Sequence, residues 1–409
     1  MQNAVQQDNA GRNTSLGVAL LCAAAACLIY GTGAGIRANI GILLRPLMAS
    51  TSLSYEDVSL CIAVLQLAFG ASQPFFGLLA AARSARFVLL LGIALLCAGF
   101  AGMALSTGFA SLFISLSLLS GLGCGAIAFG LVFTSAVCFA GPRYAMMISG
   151  LLNAAAGMVG FALAPALQAL LDFGGLNAAM TAMGVLAIMC APLAAVITSR
   201  DPRELATAAD PPSFAKAASM ALRSRTFVFL LAGFSTCGFH MVIIESHLFS
   251  QYVSYGIAPQ SASWAFSIYS VATIAGALLS GWLSTRFRFS RLLAFYYGFR
   301  AAWVLLYLFA MPKTLATAVL FAAGLGMTGD ATVSPTAGAV RRDFQLKYVA
   351  VILGFLFLGH QCGAFASAWA GGVLLKATGS YAAIWCLDVA LCAFAACASI
   401  FIPSTRTRA

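Results

Sequence analysis

Ionisable side chains are rare in this sequence, and five of them lie inside long apolar runs. The chain has 409 residues, of which 8% are charged, and it contains only three histidines. An isolated charge in an apolar environment is costly, so such a group is expected to bind a solute, carry a proton or pair with an opposite charge. The five candidates are Arg37, Glu245, Arg300, Asp330 and Asp388.

Two of these groups suggest recognition and proton chemistry. A guanidinium presents a planar fork of donors that matches a carboxylate, so Arg37 is predicted to bind an anionic solute. The alternative for Arg37 is a structural ion pair. Glu245 is predicted either to carry a coupling proton or to neutralise a nearby basic group.

The stretch GFHMVIIESHLF, residues 238–249, places Glu245 between two histidines. At about 100° per residue, His240 and His247 share one helix face and Glu245 points roughly 140° away from His240. Either the histidines face a cavity and Glu245 a neighbouring helix, or the helix is broken locally, which Gly238 permits. His240 is interpreted as a cavity residue or a packed core residue. His247 is interpreted as a proton-sensing or structural residue near the outer mouth.

A second group of candidates consists of one further carboxylate and five residues that can form neutral hydrogen bonds. Asp330, in GMTGDATVSP, lies near Pro335, which interrupts backbone hydrogen bonding, so a flexible cavity helix is one interpretation. The alternative is that Asp330 satisfies the freed backbone or pairs with Arg300. Neutral hydrogen bonds to a bound solute are predicted for Tyr30, Gln66, Asn153, His360 and Gln361.

The elements that must hold these residues are membrane-spanning helices. Hydrophobic residues make up 62% of the chain, far more than a soluble domain carries. Apolar runs of about 20 residues, the length that crosses a bilayer as a helix, predict an all-α membrane protein with twelve transmembrane helices. We number these segments 1 to 12: 16–48, 55–81, 87–106, 109–139, 144–171, 177–198, 227–254, 259–286, 290–311, 313–340, 347–376 and 381–402.

The basic residues predict the orientation. Only Arg45, Lys313 and Lys376 lie on one side of the predicted membrane, Arg37 and Arg300 lie within it, and the other 17 of the 22 Lys and Arg residues lie on the opposite side. Basic loops stay in the cytoplasm, so both termini are predicted to be cytoplasmic. This topology explains the net charge of +11 without a nucleic-acid partner.

The chain is predicted to divide into two related halves. A polar linker, 199–226, separates a six-helix bundle at 16–198 from a second at 227–402, with cytoplasmic tails at 1–15 and 403–409. When the sequence is shifted by about 204 residues, Gly77 falls on Gly281 and Gly150 on Gly354. These matches at equivalent positions indicate an internal duplication, and transporters built from such repeats bind their solute where the halves meet.

Several motifs resemble one known family over essentially the whole chain. They are GIRANIGILLRPL in segment 1, LQLAFGASQPFFGLLA in segment 2, CGFHMVIIESHL in segment 7, and GHQCGAFASAWAGG with GSYAAIWCLDVALC in segments 11 and 12. The chain resembles a major facilitator superfamily transporter, and in particular the bacterial relatives of the monocarboxylate transporters. Members of that branch carry a basic residue in segment 1 that engages the substrate carboxylate, and Arg37 occupies that place. The superfamily's cytoplasmic Asp is replaced by Ala81 and Thr285.

The resemblance also assigns positions to the other charges. Segments 1 and 7 line the cavity in this fold, and the repeat shift carries Arg37 to position 241, so His240 is expected to face it across the midplane. Segments 9 and 12 are peripheral, which makes Arg300 and Asp388 structural charges.

The predicted function is secondary transport of a small organic solute. No catalytic or nucleotide-binding motif is present, and the 12 cysteines are scattered without metal-ligand spacing, so neither an enzyme nor a cofactor or metal is predicted. A monocarboxylate-type anion moved with protons by a monomer in the lipid bilayer is the main hypothesis. The alternatives are an efflux carrier for hydrophobic drugs or metabolites, an importer of larger chelates such as siderophores, and a membrane sensor built on the same fold.

Overall fold

The fold is helical throughout the part of the chain that the structure describes. The structure, a computed structural model, describes residues 15–199 and 214–403. These ranges contain no strand, and eleven of their helices are long and apolar enough to cross a membrane. The all-α membrane fold predicted from composition is confirmed. The predicted tails, and residues 200–213 of the predicted linker, lie outside the described residues.

The first half holds segments 1 to 6. Its helices are Leu16–Ala38, Ile40–Thr51, Tyr55–Ala82, Ala85–Ala104, Phe109–Leu112, Gly121–Ala126, Phe129–Ala140 and Ala145–Ile197, with a π-helical stretch at Phe113–Ser120 and a 3-10 turn at Pro142–Tyr144. Segments 5 and 6 are joined in one 51-residue apolar span, Met147–Ile197. Gly174 and Gly175 interrupt it with non-helical backbone angles, and Gly175 has a φ of 65°. The break lies where the sequence predicts the connection between two segments, and the count of twelve stays a prediction.

The second half follows the same pattern. Its helices are Phe214–Arg223, Arg225–Ile243, Phe249–Ser254, Pro259–Leu283, Phe289–Phe309, Leu315–Thr328, Val333–Asp343, Leu346–Thr378 and Ala382–Ile400, with a π-helical turn at Ile244–Leu248 and a 3-10 turn at Asp330–Thr332. The first of these helices occupies the end of the predicted linker. Its Ala217 and Ala221 are buried in the same apolar cluster as Phe227 at the start of segment 7. The linker is therefore partly helical, because an apolar helix face can pack there.

The packing of one half is repeated in the other. In the first half, segment 1 packs on segment 5, segment 2 on segment 4 and segment 3 on segment 6. In the second half, segments 7, 8 and 9 pack on segments 11, 10 and 12 in the same way. The halves meet where segment 2 packs on segment 11 and segment 5 on segment 8. The pairing agrees with the duplication that the repeat shift indicates.

The two bundles touch at one end and separate at the other. At the closed end, defined by Tyr55, His247 and Tyr381, the Tyr55 hydroxyl lies 2.8 Å from His247 Nδ1 and accepts a hydrogen bond from the Tyr381 hydroxyl at 3.3 Å. Lys376 and Glu56 form an ion pair at 2.5 Å beside them. Away from this end, Arg37 of the first bundle and Asp330 and His360 of the second are exposed or partly exposed, and their charges act on one another. Solvent therefore reaches between the bundles there, and we call the space that these residues line the cleft and this side its open end.

Helix irregularities cluster around the cleft. Segment 1 breaks at Asn39, whose side-chain amide donates to the carbonyls of Gly35 at 2.8 Å and Gly160 at 3.1 Å. Segment 7 contains the π-helical turn with Glu245, and segment 10 contains the 3-10 turn with Asp330. A π turn rotates the side chains that follow it relative to a regular helix and often marks a functional site. The sequence allowed a local break in segment 7 at Gly238, but the helix is regular there and the irregular turn lies at Ile244–Leu248.

Segments 7 and 11 cross at glycines that leave no room for a side chain. A Cβ atom at Gly238 would collide with the backbone carbonyl of His360, and one at Gly363 with the carbonyl of Ser235. Small residues at such crossings allow two helix backbones to approach closely in a membrane. The crossing fixes the position of segment 7 on the side of the cleft.

We expect Gly238→Val to destabilise the protein, because the obstructing atoms belong to the backbone of segment 11 and cannot rotate away. Overpacking of this kind costs about 1 to 3 kcal/mol. Thermal unfolding of the purified variant in detergent should show a lower midpoint, with less protein in the membrane. The matched control is Gly298→Val in segment 9, where an added Cβ meets nothing within 4 Å. Equal midpoints for the two variants would contradict the tight crossing.

Candidate functional site

Arg37 lies in the cleft, two residues before the break in segment 1. Its Nη1 donates a hydrogen bond of 2.7 Å to Gln66 Oε1 and lies 3.7 Å from Glu245 Oε2. The guanidinium carbon stands 4.2 Å from the centroid of the Phe69 ring, a cation–π arrangement. The Arg37 side chain keeps 19% of its surface exposed, and Nη1 is its only nitrogen with a hydrogen bond to a described residue. Its Nε is buried without a partner in the described part of the chain, so a ligand would meet the exposed part of the guanidinium at Nη2.

Gln66 connects Arg37 to the second bundle. Its amide oxygen accepts from Arg37, and its amide nitrogen donates to Glu245 Oε2 at 3.3 Å. Gln66 is fully buried, so this orientation of the amide satisfies both of its polar atoms. Arg37, Gln66 and Glu245 thus form one polar group contributed by segments 1, 2 and 7.

Close backbone packing brings Glu245 to Arg37. Gly41, just after the break in segment 1, lies against the π-helical turn, so that an added Cβ would sit 2.7 Å from the carbonyl oxygen of Ser246. Only a glycine permits this approach. The irregular backbone around Glu245 therefore places its carboxylate at the bundle interface, next to Arg37.

Three further candidates share the cleft with Arg37. Asp330 is exposed, and the charges of His360, Arg300 and Arg37 act on it, in that order of size. His360 is half-buried between the rings of Phe234 and Phe357, at centroid distances of 5.1 and 6.4 Å. Tyr30 lies within the electrostatic reach of both Arg37 and Asp330. Opposite charges therefore lie on opposite bundles of the same cleft.

His240 does not face Arg37, and the arrangement expected from the repeat shift is wrong. His240 Nδ1 lies 2.8 Å from Asp388 Oδ2, and both side chains are completely buried. The repeat shift places position 241 opposite Arg37. His240 precedes that position by one residue, so its side chain is rotated by about 100° around the helix axis. That rotation points His240 toward segment 12, away from the cleft.

Arg300 belongs to the same buried region as His240 and does not pair with Asp330. Its Nη2 donates to the backbone carbonyls of Thr328 and of Gly329, the latter at 2.7 Å. His240, Asp388 and Cys392 bring three potential metal-ligating atoms within 4.8 Å of one another. The positive charge of Arg300 acts on His240, and the hydrogen bond to Asp388 already occupies its Nδ1, which disfavours a further cation.

The remaining candidates lie at the edges of the cleft. His247 is held at the closed end between the Tyr55 hydroxyl and the carbonyl of Ala368 at 3.0 Å, so both ring nitrogens have partners. Asn153 is exposed and donates to the carbonyl of Ser149 at 2.9 Å. Gln361 is buried against Gly70, and its amide oxygen has no partner among the described residues.

The sequence-based prediction missed Phe69 and the role of Gln66 as a bridge. Phe69 follows Gln66 by three residues, the spacing that places both on one helix face. This spacing was a usable signal, because an aromatic ring next to a predicted polar cleft residue can stack on a guanidinium. The bridge had no such signal, since Gln66 and Glu245 are 179 residues apart in sequence.

Comparison with known proteins agrees with the geometry. The family model of the Major Facilitator Superfamily matches residues 19–254. Monocarboxylate transporter 11 of Mus musculus is 27% identical over 270 residues, 64% of this chain and 58% of the mouse protein. The Homo sapiens protein of the same name is 26% identical over 270 residues, 64% of this chain and 55% of its own length. The chain thus spans somewhat more than half the length of these relatives.

Solved structures share the fold over nearly the whole chain. The nucleoside transporter NupG (D323A mutant) superposes with a TM-score of 0.73 at 13% identity, over 92% of this chain and 98% of its own. The D-xylose-proton symporter superposes with a TM-score of 0.74 at 13% identity, over 95% and 99%. At this identity the likeness shows the fold alone. Because the family model covers more than half of the sequence, the chain belongs to the Major Facilitator Superfamily, and it resembles the monocarboxylate-transporter branch.

Proposed function

We propose that the protein carries a small organic solute with a carboxylate group across a bacterial cytoplasmic membrane, together with protons. The observation that supports this proposal best is the position of Arg37. Its guanidinium lies at the interface of the two bundles, partly exposed to the cleft, with a carboxylate partner only 3.7 Å away. An incoming carboxylate can replace Glu245 as the partner of Arg37, with charge-assisted hydrogen bonds in place of water.

Charge balance links this exchange of partners to a proton. Arg37 and Glu245 are together neutral when both are ionised. If the solute carboxylate takes the place of Glu245 beside Arg37, the displaced Glu245 is buried without its partner, which favours its protonated form. The pair then carries one anion and one proton and stays neutral as the bundles move, so no unpaired charge crosses the bilayer.

Alternating access follows from the contacts between bundles. Gln66 and Arg37 on the first bundle touch Glu245 on the second, so loading the site changes an interaction that holds the bundles together. With the predicted orientation, the open end of the cleft faces the cytoplasm and the contacts of Tyr55, His247 and Lys376 close the outer side. We propose that a single chain is sufficient for this cycle.

Arg37 variants test the binding step. Arg37→Lys keeps the charge but loses the fork, so affinity should fall roughly tenfold, which corresponds to about 1.4 kcal/mol. Arg37→Gln should abolish binding. The measurement is thermal stabilisation of purified protein by a panel of small carboxylates, with and without an amino group. Arg45→Gln is the matched control, an exposed arginine of the same segment at the closed end. Full stabilisation of a well-folded Arg37→Gln protein would remove Arg37 from the site.

Glu245→Gln tests the coupling step. The variant cannot exchange a proton, so proteoliposomes should lose accumulation driven by an imposed proton gradient while exchange between labelled and unlabelled solute continues. Asp172→Asn is the control, because Asp172 is an exposed carboxylate that accepts a hydrogen bond from Gln168 of its own helix and does not join the two bundles. Proton-driven accumulation by Glu245→Gln at the wild-type level would show that another group carries the proton. Loss of both activities with normal membrane abundance would assign Glu245 to solute binding.

A further inference from the structure

Asp330 is a carboxylate without a protein partner inside the transmembrane region. The side chain is exposed to the cleft and makes no hydrogen bond or ion pair with any described residue. A carboxylate at this depth is expected to pair or to serve a function. The nearby Arg300 is not its partner, since that guanidinium donates to the carbonyls of Thr328 and Gly329.

The backbone around Asp330 is fixed on both sides. Arg300 holds the two carbonyls that precede Asp330, and the Ser280 hydroxyl donates to the carbonyl of Ala331, which follows it. Gly329 packs against segment 8, where an added Cβ would approach Thr273 Oγ1 to 3.2 Å. The 3-10 turn is therefore rigidly positioned, while the carboxylate that it presents is left free. Such an arrangement suits a group that binds a ligand.

The cleft has two poles of opposite charge. Arg37 with Gln66 forms the positive pole on the first bundle, and Asp330 forms the negative pole on the second. The charge of Arg37 acts on Asp330, so the two poles belong to one electrostatic site. His360, whose Nδ1 has no partner among the described residues, interacts electrostatically with both Asp330 and Arg37.

The charges of the cleft do not balance for a simple anion. Arg37, Glu245 and Asp330 sum to one negative charge when all three are ionised. When a carboxylate anion binds together with one proton, the cleft keeps this one negative charge. When a molecule with both a carboxylate and an ammonium group binds together with one proton, the ammonium group neutralises Asp330 and the sum is zero. The walls near the poles are aromatic: Phe69 lies beneath Arg37, and Phe234 and Phe357 surround His360.

We propose that the transported solute is a zwitterion of the amino-acid type, with its carboxylate on Arg37 and Gln66 and its ammonium group on Asp330. The apolar part of the solute packs on the aromatic walls. This inference rests on the proposed carboxylate transport and names the class of carboxylate. It requires Asp330 to discriminate between solutes that differ only in an amino group.

The test uses two sets of three matched probes on the purified full-length protein. The first set is L-leucine, 4-methylpentanoate and 3-methylbutylamine, and the second is L-phenylalanine, 3-phenylpropanoate and 2-phenylethylamine. Each set compares the zwitterion with the molecule lacking its amino group and the molecule lacking its carboxylate. Titration by thermal stabilisation should show that at least one zwitterion binds tenfold or more tightly than both of its matched probes.

The Asp330→Asn variant separates recognition from folding. It should weaken binding of that zwitterion at least tenfold and strengthen binding of the matched acid, because a negative charge near Arg37 has been removed. A purely structural role for Asp330 would move both affinities in the same direction. The Asp388→Asn variant is the control for loss of a buried carboxylate outside the cleft, and the ratio of the two affinities should not change.

The outcomes distinguish this inference from the function on which it rests. If the matched acids bind as tightly as the zwitterions, the zwitterion class is wrong and carboxylate transport stands. If only the amines bind, both are wrong. An unchanged ratio of affinities in Asp330→Asn, or no response to any of the six probes, also overturns the inference.

Discussion

The contact of Arg37 with Gln66 and Glu245 is the interaction on which the rest of the cleft depends. A permanently charged guanidinium within a membrane-spanning helix requires compensation, and here the compensation comes from the opposite bundle. The glycine at position 41, the π-helical turn of segment 7 and the break at Asn39 all serve to bring Glu245 within 3.7 Å of Arg37. Because the partner is on the other bundle, the state of this ion pair and the relative position of the bundles are coupled.

The irregular backbone at the cleft has a physical reason. A regular helix satisfies its own backbone hydrogen bonds and presents side chains at fixed angles, which suits packing against lipid and neighbouring helices. Because these angles are fixed, side chains from several regular helices seldom point to the same site. Each of the three charged cleft residues, Arg37, Glu245 and Asp330, lies within two residues of a helix break or inside a non-α turn. Irregularity is tolerated there because side chains such as Asn39, Ser280 and Arg300 take over the freed carbonyls.

Much of the fold could be predicted from the sequence because membrane helices leave a strong local signal. Apolar runs predicted the membrane-spanning helices, and the repeat shift predicted an internal duplication, with which the symmetric pairing of segments agrees. Interactions between distant segments leave no such signal. Glu245 was predicted as a proton carrier or charge partner, but its contact with Gln66 depends on the π turn, which the sequence did not locate. His240 shows the limit of symmetry, since a shift that is correct to one residue still misplaces a side chain by about 100° around its helix.

The chain uses its buried charges in two different ways. In the second bundle, His240 and Asp388 satisfy each other, and Arg300 binds backbone carbonyls, so this region is closed to a ligand and stabilises the packing of segments 7, 9, 10 and 12. In the cleft, the Arg37 guanidinium is partly exposed and the exposed Asp330 carboxylate has no hydrogen-bond partner among the described residues. Groups of the first kind are buried inside one bundle and bind each other or backbone carbonyls, although His240 Nε2 and Arg300 Nε and Nη1 have no partner among the described residues. Groups of the second kind are exposed to the cleft because the backbone holds them there, and a transported molecule must supply their binding partners.

The boundary between the two kinds of charge lies at the turn of residues 328–331. The buried Arg300 binds the main chain of this turn from the side away from the cleft, and the Asp330 carboxylate faces the cleft. A charge buried inside one bundle thereby positions, through the main chain, a charge that is exposed between the two.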